Sequence, residues 1–356
     1  GGRNGTMKRG AILFGGILAL AAAGGYVALT HFGARPAAEL PASASASAPQ
    51  EAKAAAPPSA PLTVVATATP SAVAKEAALK VIPFGTGEDA LGRGKAANGA
   101  SIAPGSFVLA GDDLLVLDQE KSRLLTIGGK AIPLPGRTAQ DIARGEDGSL
   151  AVLDAKENKE VSVLGPDGRV RGRFPLQGTG IDDPKDVSRV FVDGNDVYVE
   201  RNGGGPLLRL GSTDGSAAKE RTEIAGIPTR DGKGLVSAGI TNEDDGRAWV
   251  NLADRKGVHL WTRELRFPAE LSAVGFVDSE KNGTLWVVLL AGSTPADYTN
   301  WAVCLDVAGN VRGSFTLAVE NPPWESFRDF AVRESGGLVA AVRSDQGVSY
   351  ATYNCP

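Results

Sequence analysis

The sequence predicts an all-β protein: a six-bladed β-propeller closed by an N-terminal strand, preceded by one transmembrane helix and a disordered linker. Three observations carry this. A strand–turn–strand unit recurs six times in the C-terminal three quarters of the chain. The copies recur at intervals averaging roughly 45 residues, the length of a four-stranded propeller blade. The last unit runs out one strand short, while a spare strand stands just before the first unit.

In chain order, residues 1–9 form a short basic stretch with Lys8 and Arg9. Residues 10–31 are almost wholly apolar and carry no charge. About twenty residues at 1.5 Å each cross one hydrocarbon core. Basic residues ahead of such a segment hold that end in the cytoplasm and place the rest outside. The segment reads as a retained anchor or as a signal peptide cleaved near Ala21–Ala23; either way the remainder is exported. Residues 32–78 collapse to Ala, Pro and Ser, as in "ELPASASASAPQEAKAAAPPSAPL". This composition cannot offset the entropy of ordering, so the segment is expected to be an extended, disordered tether.

Residues 79–356 carry the repeats. "LLVLD", "LAVLD", "DVYVE", "RAWVN", "TLWVV" and "GLVAA" are read as the second strands of six blades, each following a turn rich in Gly, Asp and Asn. Third strands follow each polar loop ("RLLTI", "EVSVLG", "PLLRLG", "VHLWT", "WAVCLDV", "GVSYATY"), and fourth-strand candidates include "KAIPLP", "VRGRFPL", "RELRF" and "VRGSFTLA". The final unit lacks a fourth strand, and "LKVIPFG", Leu79–Gly85, is the candidate to supply it. Closure of this kind removes an unpaired sheet edge. A β-sandwich, or two smaller β domains, is the competing architecture, but neither demands this end-to-end complementarity.

"DIARGEDGSLAVLDAKENKEVSVLGPDGRV", with its Asp-Gly turn, "VLD" strand, Asn-bearing polar loop and Pro-Asp-Gly turn, resembles an NHL-type repeat. Phe84 to Ile127 is similar to a first blade of such a protein. The other four units share only the order of turns and strands. The resemblance implies a six-bladed NHL-like propeller and leaves the activity open, because such folds host scaffolds, ligand binders and enzymes.

The chain has a net charge of −4, which argues against nucleic-acid binding. With two histidines, His31 and His259, it cannot build a His-rich metal site. No GxSxG or Walker pattern is present, and no catalytic residue is assigned. Asp141, Asp186 and Asp329 stand near the starts of three inner strands and are the candidates for a divalent-metal site at the channel, as in lactonase-like propellers. No cofactor is otherwise implied. The acids of the "GEDGS", "GPDGR" and "STDGS" turns are expected to cap their own backbone. Cys304 and Cys355 are a disulfide candidate in an exported protein, or else two small buried side chains.

Loops between second and third strands, and between blades, emerge on one face of a propeller, and binding concentrates on such loops. Tyr298, Trp324, Asp182, Asp183 and Lys185 lie on three of them and are the candidate binding face; Trp324 could instead fill a gap between blades. The expectation is a membrane-tethered, extracytoplasmic module that binds an envelope protein. The alternative is a metal- or small-ligand-dependent enzyme or sensor, lactonase- or lyase-like, with its site at the central channel.

Overall fold

A computed structural model describes residues 62–63, 80–95, 101–127, 130–294, 297–317 and 326–356. The chain forms a six-bladed β-propeller; each blade has four antiparallel strands, and the fourth blade carries a fifth, parallel strand at its outer edge. Blade 1 comprises Ser106–Ala110, Asp113–Asp118, Arg123–Thr126 and Ile132–Pro133. Blade 2 comprises Asp141–Arg144, Leu150–Asp154, Glu160–Leu164 and Val170–Pro175. Blade 3 comprises Val187–Asp193, Asp196–Arg201, Leu207–Ser212 and Glu223–Ile224. Blade 4 comprises Ile227–Pro228, Gly234–Asn242, Arg247–Asp254 and His259–Arg266. Blade 5 comprises Leu271–Ser279, Leu285–Ala291, Thr299–Leu305 and Val311–Leu317. Blade 6 comprises Phe330–Val332, Leu338–Arg343 and Gly347–Tyr353, and its fourth strand is Lys80–Pro83, antiparallel to Gly347–Tyr353 with Ile82 opposite Val348. The ends of the domain therefore share one sheet.

The core lies between blades, because each sheet is buried on both faces by its neighbours. Leu117, Leu124, Ile142 and Val152 pack between blades 1 and 2. Val161, Phe174, Val190 and Leu208 fill the next interface. Trp286, Phe315, Phe330 and Tyr353 fill the one between blades 5 and 6. Ile82, Phe107, Val116 and Tyr350 join blade 6 to blade 1, with the Phe107 and Tyr350 rings edge-on at 5.1 Å. Such second and third strands read as continuous Leu/Val/Ala runs because both faces are covered.

Each blade is a sequential meander, so its connections alternate in side. First-to-second and third-to-fourth turns share one face, here the turn face. Second-to-third and blade-to-blade connections share the other, the loop face. On the turn face Asp-Gly turns recur. Asp167, Asp214, Asp231 and Asp306 each accept the amide two residues on, and Gly168, Gly215, Gly232 and Gly309 follow at φ between 73° and 92°. The acids thus cap their own turns as the sequence suggests.

Hydrogen bonds from Ser216 hold the Asp214 carboxyl below the usual carboxylate range, and those from Asn310 do the same for Asp306. A carboxyl depressed by folding contributes stability that is complete above its unfolded value, about pH 4, and is lost as pH falls through the folded value. Melting temperature is therefore expected to fall on acidification below about pH 4. Thermal melts of Asp214→Asn/Asp306→Asn against wild type should show a shallower fall; parallel curves would refute it.

Two expectations need correction. In the fourth unit, "RAWVN" is the third strand rather than the second, and "VHLWT" and "RELRF" are one continuous strand, His259–Arg266. The inner strand there is only Ile227–Pro228, and the second, Gly234–Asn242, mixes Gly and Ser with its apolar residues. Within the expected linker, Leu62–Thr63 pairs in parallel with the outer strand of blade 4, Leu62 opposite Arg263 and Thr63 opposite Glu264. Thr63 opens the β-branched run "TVV" in an otherwise Ala/Pro/Ser stretch. Cys355 lies just past the third strand of blade 6.

Cys304 and Cys355 are joined by a disulfide, with Cα atoms 6.0 Å apart. It ties the third strand of blade 5 to the chain's last residues. Closing a loop of 51 residues lowers the entropy of the unfolded chain by about 4 kcal/mol in the chain-entropy model. Unfolded, unreduced protein is expected to titrate no free thiol, and two after reduction; two thiols before reduction would show the bond absent.

The expected anchor, residues 10–31, lies outside the described residues. Among the described residues no helix is long and apolar enough to cross a membrane.

Candidate functional site

The channel mouth is built from the starts of the inner strands. Asp141 opens the inner strand of blade 2 and is fully buried. Its Oδ1 accepts the Ser106 hydroxyl at 2.6 Å and Arg328 Nε at 3.0 Å. Its Oδ2 accepts an Arg328 terminal nitrogen at 2.7 Å and the Val190 amide at 2.9 Å. Arg328 leaves the connection from blade 5 to blade 6, crosses to blade 2, and also donates to the Val190 carbonyl at 2.7 Å. Its guanidinium lies 5.2 Å from the Phe191 ring centroid. Burial alone would push this guanidinium's pKa down; the Asp141 charge and hydrogen bonds, with the more remote Asp278 and Glu200, outweigh burial and raise it above the ordinary value.

Two further pairs neighbour it. Glu200, 1 % exposed, accepts Arg189 at 2.7 and 3.1 Å and the Ser188 hydroxyl at 2.9 Å. Asp278 holds Arg230 at 2.7 Å, while the Arg230 amide donates to Ser279 Oγ at 2.8 Å. Blades 1, 2, 3 and 6 therefore meet at one carboxylate whose lone pairs are filled by protein donors. Such an arrangement ties these elements together and leaves no vacant Asp141 oxygen for a ligand.

The three metal candidates are not brought together. Asp141 is occupied by Arg328. Asp329 accepts Arg343 at 2.7 Å and the Ser326 hydroxyl at 2.6 Å. Asp186 sits half-buried at the end of a 3-10 turn beside blade 3. Among the described residues no group of three His, Cys, Asp or Glu is placed to hold a metal. His259 is exposed and bonds Thr262 at 2.9 Å.

Of the binding-face candidates, Asp182, Asp183 and Lys185 are exposed on the connection from blade 2 to blade 3, where Asp183 caps the Pro184–Asp186 turn by accepting the Lys185 amide at 3.0 Å. Tyr298 is half-buried at the end of the second-to-third connection of blade 5. Trp324 lies outside the described residues. Asp182 and Tyr298 share the loop face but occupy sectors separated by blade 4, so they are two sites on one face rather than a single patch.

Sequence reasoning missed the arginines. The signal was present: "SFRDF" places Arg328 and Asp329 immediately before an inner strand, as Asp141 opens another. On the turn face, a cleft of about 350 Å³ opens between blades 5 and 6, lined by Glu280, Asn282, Asp306, Arg312 and Asn354. Glu280 is buried and accepts Trp286 Nε1 at 2.8 Å and the Gly337 amide at 2.9 Å, a structural use.

No family model matches the chain, and no curated protein matches it. Solved structures do. A protein of unknown function from Bacteroides caccae shares 15 % identity at TM-score 0.39, over 60 % of this chain and 82 % of that one. One from Bacteroides thetaiotaomicron VPI-5482, also of unknown function, shares 11 % at TM-score 0.44, over 74 % and 72 %. A chain of a nidogen/laminin complex shares 14 % at TM-score 0.35, over 60 % and 83 %.

Proposed function

We propose that this chain is an NHL-type propeller tethered to a membrane and exposed outside the cytoplasm, where it binds an envelope protein or acts as a scaffold. The filled carboxylate of Asp141 supports this reading: the buried acid at the start of the blade 2 inner strand is taken up by Arg328, Ser106 and Val190. A rigid closed ring then presents its loops as the variable surface. The N-terminal apolar segment with Lys8 and Arg9 before it supports the tether.

The test uses the full chain as bait in envelope extract. Capture of a partner is expected to fall with Asp182→Ala/Asp183→Ala/Lys185→Ala or Tyr298→Ala, and to persist with Lys256→Ala on the opposite face. Equal capture by all variants would overturn the loop-face assignment. A stoichiometric divalent metal in the purified protein would favour the channel-centred alternative.

A further inference from the structure

The outer strand of blade 4, His259–Arg266, is an edge that the fold treats unlike the others. At eight residues it is the longest outer strand, against seven in blade 5, six in blade 2, four in blade 6 and two each in blades 1 and 3. Exposed apolar side chains collect beside it: Val258 at 58 %, Leu260 at 53 % and, on the adjoining turn of blade 5, Val307 at 61 %. Trp261 Nε1 donates to the Val307 carbonyl at 3.1 Å, linking the two blades here. A long unpaired strand edge flanked by exposed apolar side chains recruits another strand unless it is covered. Leu62–Thr63 lies on this edge and makes blade 4 the one five-stranded sheet among the described residues.

The direction of that pairing is informative. The outer strand of a blade starts at a third-to-fourth turn and therefore runs from the turn face to the loop face. Blade 4 obeys this: its strand leaves the Asp254–Gly257 turn and ends where the Phe267 amide meets the Gly246 carbonyl of the opposite face. Leu62–Thr63 is parallel to it, so the chain arrives from the turn face. Residues 64–79 separate this segment from Lys80 in the sequence, a length that can span at most about 50 Å at about 3.3 Å per residue.

We propose that the edge of blade 4 is a docking surface for this chain's own Leu62–Thr63 segment, and that this contact takes the tether off the propeller at the turn face, directing the loop face away from the anchor. This builds on the tethered-module reading, but the contact itself is internal to the chain. Docking would present Asp182, Asp183, Lys185 and Tyr298 outward.

Two measurements on the full chain test it. In hydrogen exchange, the peptide containing Leu62–Thr63 is expected to exchange at least about tenfold more slowly than residues 40–56, and to lose that protection in Thr63→Pro, which removes an amide and leaves the propeller untouched. In amine cross-linking of wild type, Lys53 is expected to join Lys256 or Lys233, both exposed on the turn face, and not Lys185. Exchange at Leu62–Thr63 as fast as at residues 40–56, or predominant Lys53–Lys185 links, overturns the proposal. Failure of partner capture would leave both readouts unchanged, so the two readings fail separately.

Discussion

Arg328→Ala is expected to destabilise the propeller by about 3–5 kcal/mol, because it leaves the Asp141 carboxylate buried without its counter-charge. For a domain of this size that corresponds to a fall in Tm on the order of 10 °C, read by calorimetry or circular dichroism. The effect reaches four blades: Arg328 leaves the connection into blade 6, and Asp141 of blade 2 also takes Ser106 of blade 1 and the Val190 amide of blade 3. A second variant separates lost charge from lost packing. In Arg328→Met/Asp141→Asn no charge is buried, and the new amide oxygen still accepts from Val190. It should recover a large part of the loss. If Arg328→Ala melts within about 1 °C of wild type, the pair does not hold the ring.

The second large effect lies at the closing strand, where adjacent side chains face opposite ways. Ile82 is 3 % exposed in the interface between blades 6 and 1, whereas its neighbour Val81 is 54 % exposed. Ile82→Asp places a carboxylate in an apolar interface and unpairs the only strand that closes blade 6. Loss of more than about 4 kcal/mol, or loss of a single cooperative transition, is expected. Val81→Asp should change stability by no more than about 0.5 kcal/mol. Denaturant melts of both variants decide it; similar curves for the two would mean that the strand is not seated as described.

Much of this architecture was legible because a blade buried on both faces writes itself as short Leu/Val/Ala runs, and tight turns demand Gly and Asp at fixed places. The closing strand was legible by subtraction, one strand missing at Pro356 and one spare at Lys80. Blade 4 was misread for a physical reason. Its inner strand is two residues, one of them Pro228, and its second strand carries Gly234, Ser237 and Gly239, so the strongest apolar run marked the third strand instead. The pairing of Leu62–Thr63 with Arg263–Glu264 links positions about 200 residues apart, which no local pattern encodes. The channel was half legible. Asp141 stood out as an acid at a strand start, but whether an acid meets a metal or an arginine depends on what lies across the ring.

The pairing of Lys80–Pro83 with Gly347–Tyr353 has a mechanical consequence. Lys80–Pro83 runs lengthwise along its partner, so tension transmitted through the preceding chain in line with the strand loads all its inter-strand bonds at once, in shear, rather than peeling them one by one. A domain hung from a surface by this end would resist flow or the drag of a captured cargo best when pulled from the side at which Lys80 enters, and under such force its survival is set by the rate of unfolding rather than by equilibrium stability.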